Sequence, residues 1–215
     1  MTEASTSADR RTPIRLGAVQ RRRKLALLAA GITLILGLPF IRSLDIEAGA
    51  FHEGFETAGL ALILIAIIGR SWCTLYIGGR KSHEVVATGP YSVSRNPLYL
   101  FSLVAVAGIG LQTGSLTMAA IATAIAFAIF HQVILHEEHA LTAKLGEPYT
   151  GYCRRVPRFG PTFNLWRDAE TISVHPSRLH RTFAEALLFL LAIPVCETIE
   201  KLQDAGFFVP LLHLP

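Results

Sequence analysis

Apolar runs too long and too many for a soluble core set the terms for this 215-residue chain. Five stand out: Leu25 to Ile41, Ala58 to about Ile77, Leu98 to Leu111, Leu116 to Leu135 and Phe183 to Cys196. Crossing the ~30 Å hydrocarbon layer takes about 20 apolar residues as helix. The first, second and fourth runs are long enough; the third is short, which suits a hairpin packed against neighbours. Lipid cannot satisfy backbone N–H and C=O groups, so only helices or closed barrels span it, and runs of this length mean helices. The expected fold is all-α: a polytopic membrane bundle of about five transmembrane helices. Composition agrees, since charged residues make up 17% where a soluble protein carries about 25%.

Charge orients the runs. Residues 1–24 hold seven Lys/Arg against Glu3 and Asp9, and then abut an apolar run. A basic stretch of this kind could bind nucleic acid, but it lacks interleaved aromatics; positive-inside anchoring is the simpler account, and no nucleic-acid partner is expected. The loop from Asp45 to Glu56 has four acids and no Lys/Arg. From Arg70 to Arg95 there are four basic residues and one acid, and from Lys144 to Arg181 seven basic residues and three acids. This alternation places the amino terminus, the 76–97 loop and the 136–182 segment on one side, the cytoplasmic one. The chain divides accordingly into a basic tail (1–24), expected to be disordered, two membrane helices (25–77), a core (78–161) and an extension with a fifth membrane helix (162–215). Cys73, Cys153 and Cys196 are odd in number and have no CxxC spacing, so neither a disulfide framework nor a zinc site is expected.

Two polar segments share the cytoplasmic face. The first is "HEVVATGPYSVSRNPLY", His83 to Tyr99. Gly89-Pro90 and Asn96-Pro97 interrupt helix, and Pro97 can open the next helix at its first turn, where its missing N–H costs nothing. Arg95 could clamp an anion near that helix start, while Tyr91 and Tyr99 bring ring faces and hydroxyls. An interfacial aromatic belt with a snorkelling arginine would account for the segment equally well.

The second, "HQVILHEEHALTAKLGEPYTGYCRRVPRFGP", carries the fourth helix out of the membrane to Gly146, a candidate C-terminal cap. Glu137 lies over Leu141 and Glu138 over Thr142, so at most one of the two carboxylates is expected to face inward. An acid at the membrane boundary is costly unless paired, which favours a function for it. "EPYTGY" and "RRVPR" read as an aromatic-basic turn able to lie on anionic head groups. His136 and His139 are three apart, unlike HExxH, and no metal is expected. Gly108-Ile109-Gly110, inside an apolar helix, means close packing rather than a nucleotide loop.

These residues resemble the isoprenylcysteine carboxyl methyltransferase and phospholipid methyltransferase superfamily of integral-membrane enzymes. The match is H-x-V-V-x-x-G-P-Y-x-x-x-R-N-P-x-Y, then, about forty residues on, E-E-x-x-L-x-x-x-x-G-x-x-Y-x-x-Y. It covers Tyr76 to about Pro161, two-fifths of the chain. The resemblance implies S-adenosyl-L-methionine as cofactor. It implies that His83, Val85, Val86, Gly89, Tyr91, Asn96, Pro97 and Tyr99 line its pocket with Glu137, and that Arg95, Asn96 and Glu138 lie at the chemistry.

Two departures bear on the substrate. Asn96 stands where the family has His before proline, keeping a hydrogen-bonding group but no titration. Val133 stands where the isoprenylcysteine enzymes have an arginine for the substrate carboxylate, so that position could be served by Arg95 or Arg154. Otherwise the acceptor is a lipid amine or another lipophilic group, an amine being helped by a base such as Glu138 or His136. Methyl transfer is an in-line displacement, in which the protein supplies mainly positioning and desolvation. The expected function is methylation of a lipid or lipid-modified acceptor. A sterol-type reductase binding a dinucleotide phosphate is the alternative on a similar scaffold, and a non-catalytic membrane interaction protein a third reading.

Overall fold

The computed structural model describes residues 31, 33, 37–43, 50–80 and 83–214. The expected basic tail and ten of the seventeen positions of the first expected span lie outside the described residues. The rest is helical: α1 (Ala50–Ile77), the one-turn α2 (Pro90–Val93), α3 (Pro97–Leu111), α4 (Leu116–Leu145), α5 (Glu147–Arg155), α6 (Pro176–Leu187) and α7 (Ala192–Asp204), the last two joined by a 3₁₀ turn at Leu188–Leu191. A parallel pair of three-residue strands, β1 (Ile41–Ser43) and β2 (Leu212–Leu214), brings the ends of the described chain together. Beside it the Gln203 amide donates to the carbonyls of Leu38, Pro39 and Ile41.

Among the described residues three helical segments are long and apolar enough to cross a membrane: Glu53–Ile77, Leu116–Leu145 and Pro176–Asp204. The chain is a membrane protein. The fifth expected run is thus the middle of a longer segment in which α6 and α7 continue one another. α3 is short, as expected: its 15 residues reach only about 22 Å at 1.5 Å per residue, and it pairs with α4 through the tight Gln112–Ser115 turn. Gly114 takes φ +65° in that turn, and the Ser115 hydroxyl caps α4 by accepting from the Met118 N–H.

Small residues let these helices touch. A Cβ on Gly108 would lie 2.7 Å from the Gly59 carbonyl of α1, and one on Gly110 would collide with Ala119 of α4. Association in lipid draws on such backbone proximity, since burying Leu against Leu gains nothing over lipid. The single arginine inside the α1 span is also housed. Its guanidinium, Arg70, donates to Ser102 of α3 and lies 5.5 Å from the centre of the Phe189 ring, tying the carboxyl-terminal segment to the bundle.

Candidate functional site

The first polar segment is a tight backbone path rather than a loose loop. Gly89 has φ +56°, and the Tyr76 ring of α1 fills the space a Cβ would take, so the position accepts only glycine. Pro90 then opens α2 and Pro97 opens α3, each at a first helical position. Tyr91 is buried, and its carbonyl accepts from the Tyr152 hydroxyl of α5 at 2.8 Å. Asn96 occupies the N-cap position of α3 without capping it; its amide instead donates to the Arg158 carbonyl at 3.2 Å. The titration lost with the family's histidine is thus replaced by a fixed cross-link. Tyr99 packs on Phe130 of α4 at a ring separation of 5.1 Å.

α4 delivers the two carboxylates and ends at Gly146, whose φ of +63° reverses the chain into α5. Both Glu137 and Glu138 are buried, at 5% and 8% exposure. The expectation that only one would face inward does not hold. At that level α4 is enclosed on two sides, by the Val85–Tyr99 stretch and by α5 with the segment after it. Two side chains a helical step apart therefore both meet protein.

Glu138 is held by two arginines. Arg95 Nη1 lies 3.2 Å from its Oε1. Arg158 donates to its Oε2 through Nε at 3.0 Å and Nη2 at 2.7 Å. Three such charges leave a net +1, and a carboxylate buried this deeply is tolerable because it is paired. Among the described residues, Arg95 Nε and Glu138 Oε1 are buried without a hydrogen-bond partner, a state that native cores rarely leave outside functional sites.

The residues converge on one pocket at the site-bearing end of the α3–α4 hairpin. Its lining includes Val85, Val86, Tyr91, Arg95, Asn96, Tyr99, Glu137 and Glu138, eight of the positions expected from the motifs. Gly89 and Pro97 are buried in the backbone that shapes this wall, and His83 is exposed and outside the lining. The cavity measures about 80 Å³, below the roughly 300 Å³ at which small-molecule sites begin.

Other lining groups went unforeseen. Tyr149 and Tyr152 lie three apart on α5, and their rings, buried with Val156, are packed by Leu141 and Leu145 of α4. The segment read as a head-group turn is a helix with its tyrosines inward and Arg154 and Arg155 exposed. Arg154 pairs at the surface with Glu147, 3.5 Å away, and lies outside the lining. The Tyr-x-x-Tyr spacing, which sets both rings on one face of a helix, is the sequence signal for the tyrosines. His136 is exposed, its Nδ1 facing the Gln132 carbonyl.

Burial sets the titration of this site. It pushes the Tyr91, Tyr149 and Tyr152 hydroxyls well above the ordinary phenol range, keeping them neutral donors. The Glu138 hydrogen bonds raise Arg158 further. At the pocket rim the hydrogen bond from Arg80 lowers Glu84.

The phospholipid methyltransferase family model matches residues 56–147, from within α1 to the first residue of α5. The nickel-cobalt-cadmium resistance protein NccN of Alcaligenes xylosoxydans xylosoxydans is 38% identical over 159 residues, which cover 74% of each chain. The cobalt-zinc-cadmium resistance protein CzcN of Cupriavidus metallidurans is 37% identical over 150 residues, covering 70% of this chain and 69% of that one. No solved structure matches the chain. The motif pair, the helical hairpin that carries it and these matches agree: the chain belongs to the phospholipid methyltransferase family.

Proposed function

We propose that this chain is an S-adenosyl-L-methionine-dependent methyltransferase acting on a lipophilic acceptor, with its amino terminus and pocket on the cytoplasmic side of the membrane. The observation that carries the reading is the meeting of both motif segments in one pocket, where Arg95 of the first is paired with Glu138 of the second. The donor set suits the cofactor. Glu137 offers a carboxylate to its polar groups, Tyr91 and Tyr99 offer ring faces to a cation, and the partnerless Arg95 Nε is a donor awaiting an acceptor. When bound, the cofactor supplies an electrophilic methyl group on a sulfonium.

The protein's own part is to position and to dry the site. Val85, Val86, Leu141 and Leu145 exclude water, which strengthens every electrostatic contact within. Both oxygens of Glu138 face guanidinium groups, so this residue orients Arg95 and Arg158 rather than serving as the base for an amine acceptor. His136, the other candidate base, faces away. With Val133 buried in an apolar cluster, Arg95 is the pocket-lining cation left to orient a carboxylate, and either a carboxylate or an amine acceptor remains compatible. The relatives are named for resistance to nickel, cobalt, zinc and cadmium, a setting in which methylation of a membrane lipid would act.

Calorimetric titration of the purified protein with S-adenosyl-L-methionine and, separately, NADPH tests the reading. Heat from the former and none from the latter is expected; the reverse would establish the reductase alternative. Radiolabelled methyl transfer into a total lipid extract then identifies the acceptor, and no labelled lipid under conditions of donor binding would remove the enzymatic reading.

A further inference from the structure

Five polar groups of the 89–96 stretch are taken by the chain beyond α5. The Arg95 N–H donates to the Pro157 carbonyl at 2.9 Å, and the Asn96 amide to the Arg158 carbonyl. The Val93 carbonyl accepts from Thr162 N–H at 3.0 Å. The Ser92 hydroxyl donates to the Gly89 carbonyl and accepts from the Arg167 N–H at 3.1 Å, while the Gly89 N–H donates to the Arg167 carbonyl at 2.8 Å. Their partners, from Pro157 to Arg167, form a strap that lies outside the 56–147 region matched by the family model.

The strap is also anchored to α1. Trp166 stacks on Trp72 with ring centres 5.7 Å apart. The Tyr76 hydroxyl donates to Asp168 Oδ1 at 2.9 Å, and the same oxygen accepts from the Ala169 N–H at 2.8 Å. The Tyr76 ring is the surface against which Gly89 is pressed. Asp168 therefore fixes a ring that fixes a backbone turn, and that turn carries Tyr91 and leads to Arg95.

We infer that residues 157–168 form a clasp that holds the Gly89–Asn96 wall of the pocket in register, with Tyr76 and Asp168 as positioning residues for donor binding. The inference rests on the methyl-donor reading above. Neither residue needs to touch the ligand; each acts through Gly89. Because the clasp sits on the outer side of the wall, loosening it leaves the lining side chains present but misplaced.

The test uses full-length protein in detergent and four variants: Tyr76→Phe, Asp168→Ala, their double and Asp168→Asn. Tyr76→Phe and Asp168→Ala should each weaken S-adenosyl-L-methionine binding about fivefold, as expected for losing one net hydrogen bond. The double should be no worse than either single, because both remove the same link. Asp168→Asn, whose Oδ1 still accepts, should restore binding, and kcat at saturating donor should stay unchanged. Hydrogen exchange across residues 89–96 should quicken in the two singles alone and in the double. Additive losses, failure of Asp168→Asn to restore binding, or unchanged exchange over 89–96 would overturn the clasp. If the wild-type protein binds no donor, the methyl-donor reading fails instead, and the exchange measurement still decides whether the clasp exists.

Discussion

The α3–α4 hairpin and the α6–α7 segment are both apolar and both carry charges, yet they treat them in opposite ways. In the hairpin 39% of the apolar window of α4 is buried by protein, against 11% in Pro176–Asp204. The hairpin's carboxylates lie inside, and Glu138 draws in arginines 43 residues before it and 20 after it. In α6 and α7 the pairs are local and exposed, Arg181 with Glu185 and Lys201 with Glu197, each one helical turn apart. Phe183, Leu187, Leu188 and Leu191 point outward between them. A helix that faces lipid confines charge to its wet ends; a helix that builds a site brings charge inward and needs distant partners to do so.

The largest expected effect sharpens that contrast. Glu138→Ala would leave Arg95 and Arg158 facing each other over a buried gap, costing about 3–5 kcal/mol as in other broken buried pairs and abolishing donor binding. Glu197→Ala removes an exposed partner and should cost at most about 0.5 kcal/mol. Chemical unfolding of both variants in detergent measures the difference. Equal losses would mean the Glu138 cluster is solvated and the contrast does not exist.

Packing gives the next largest. Gly110→Leu forces a side chain between α3 and α4 where Ala119 already touches backbone, and overpacking of this kind costs roughly 1–3 kcal/mol. Leu188→Ala trims an exposed side chain whose surroundings are as apolar as itself, so its thermal midpoint should hold within the roughly 0.5 kcal/mol typical of surface changes. A large loss from Leu188→Ala would reveal a protein partner on that face.

Local features were readable from the sequence because local physics decides them. The apolar runs mark the spans, Pro97 opens a helix, Gly146 closes one, and Gly108 and Gly110 mark close approach. Readings that needed long-range partners were beyond it. Nothing in the spacing of Glu138 announces Arg158, because α5 intervenes and reverses the chain between them. Burial of both Glu137 and Glu138 follows from enclosure on two sides, which no single-helix periodicity contains. The inward turn of Tyr149 and Tyr152 was hidden by the arginines beside them, which suggest a surface while occupying the opposite face. The strap from Pro157 to Asp168 meets the 89–96 stretch through its backbone groups, which leave little trace in side-chain pattern.

Tyr152 offers the smallest and most specific test. Its hydroxyl, the one link from α5 to the Tyr91 carbonyl among the described hydrogen bonds, is worth about 1 kcal/mol net, and Tyr152→Phe should lose that much at neutral pH. The pH dependence separates this loss from a packing defect. Burial raises the Tyr152 pKa, so the folded protein keeps a proton that the unfolded chain gives up near pH 10. The stability contributed by the neutral hydroxyl is therefore whole below about pH 10 and declines as pH rises above it. Wild-type stability should fall more steeply than that of Tyr152→Phe from pH 10 upward, bringing the two curves together. Parallel curves for Tyr152→Phe would mean that the Tyr152 hydroxyl is solvated and that α5 does not close the pocket.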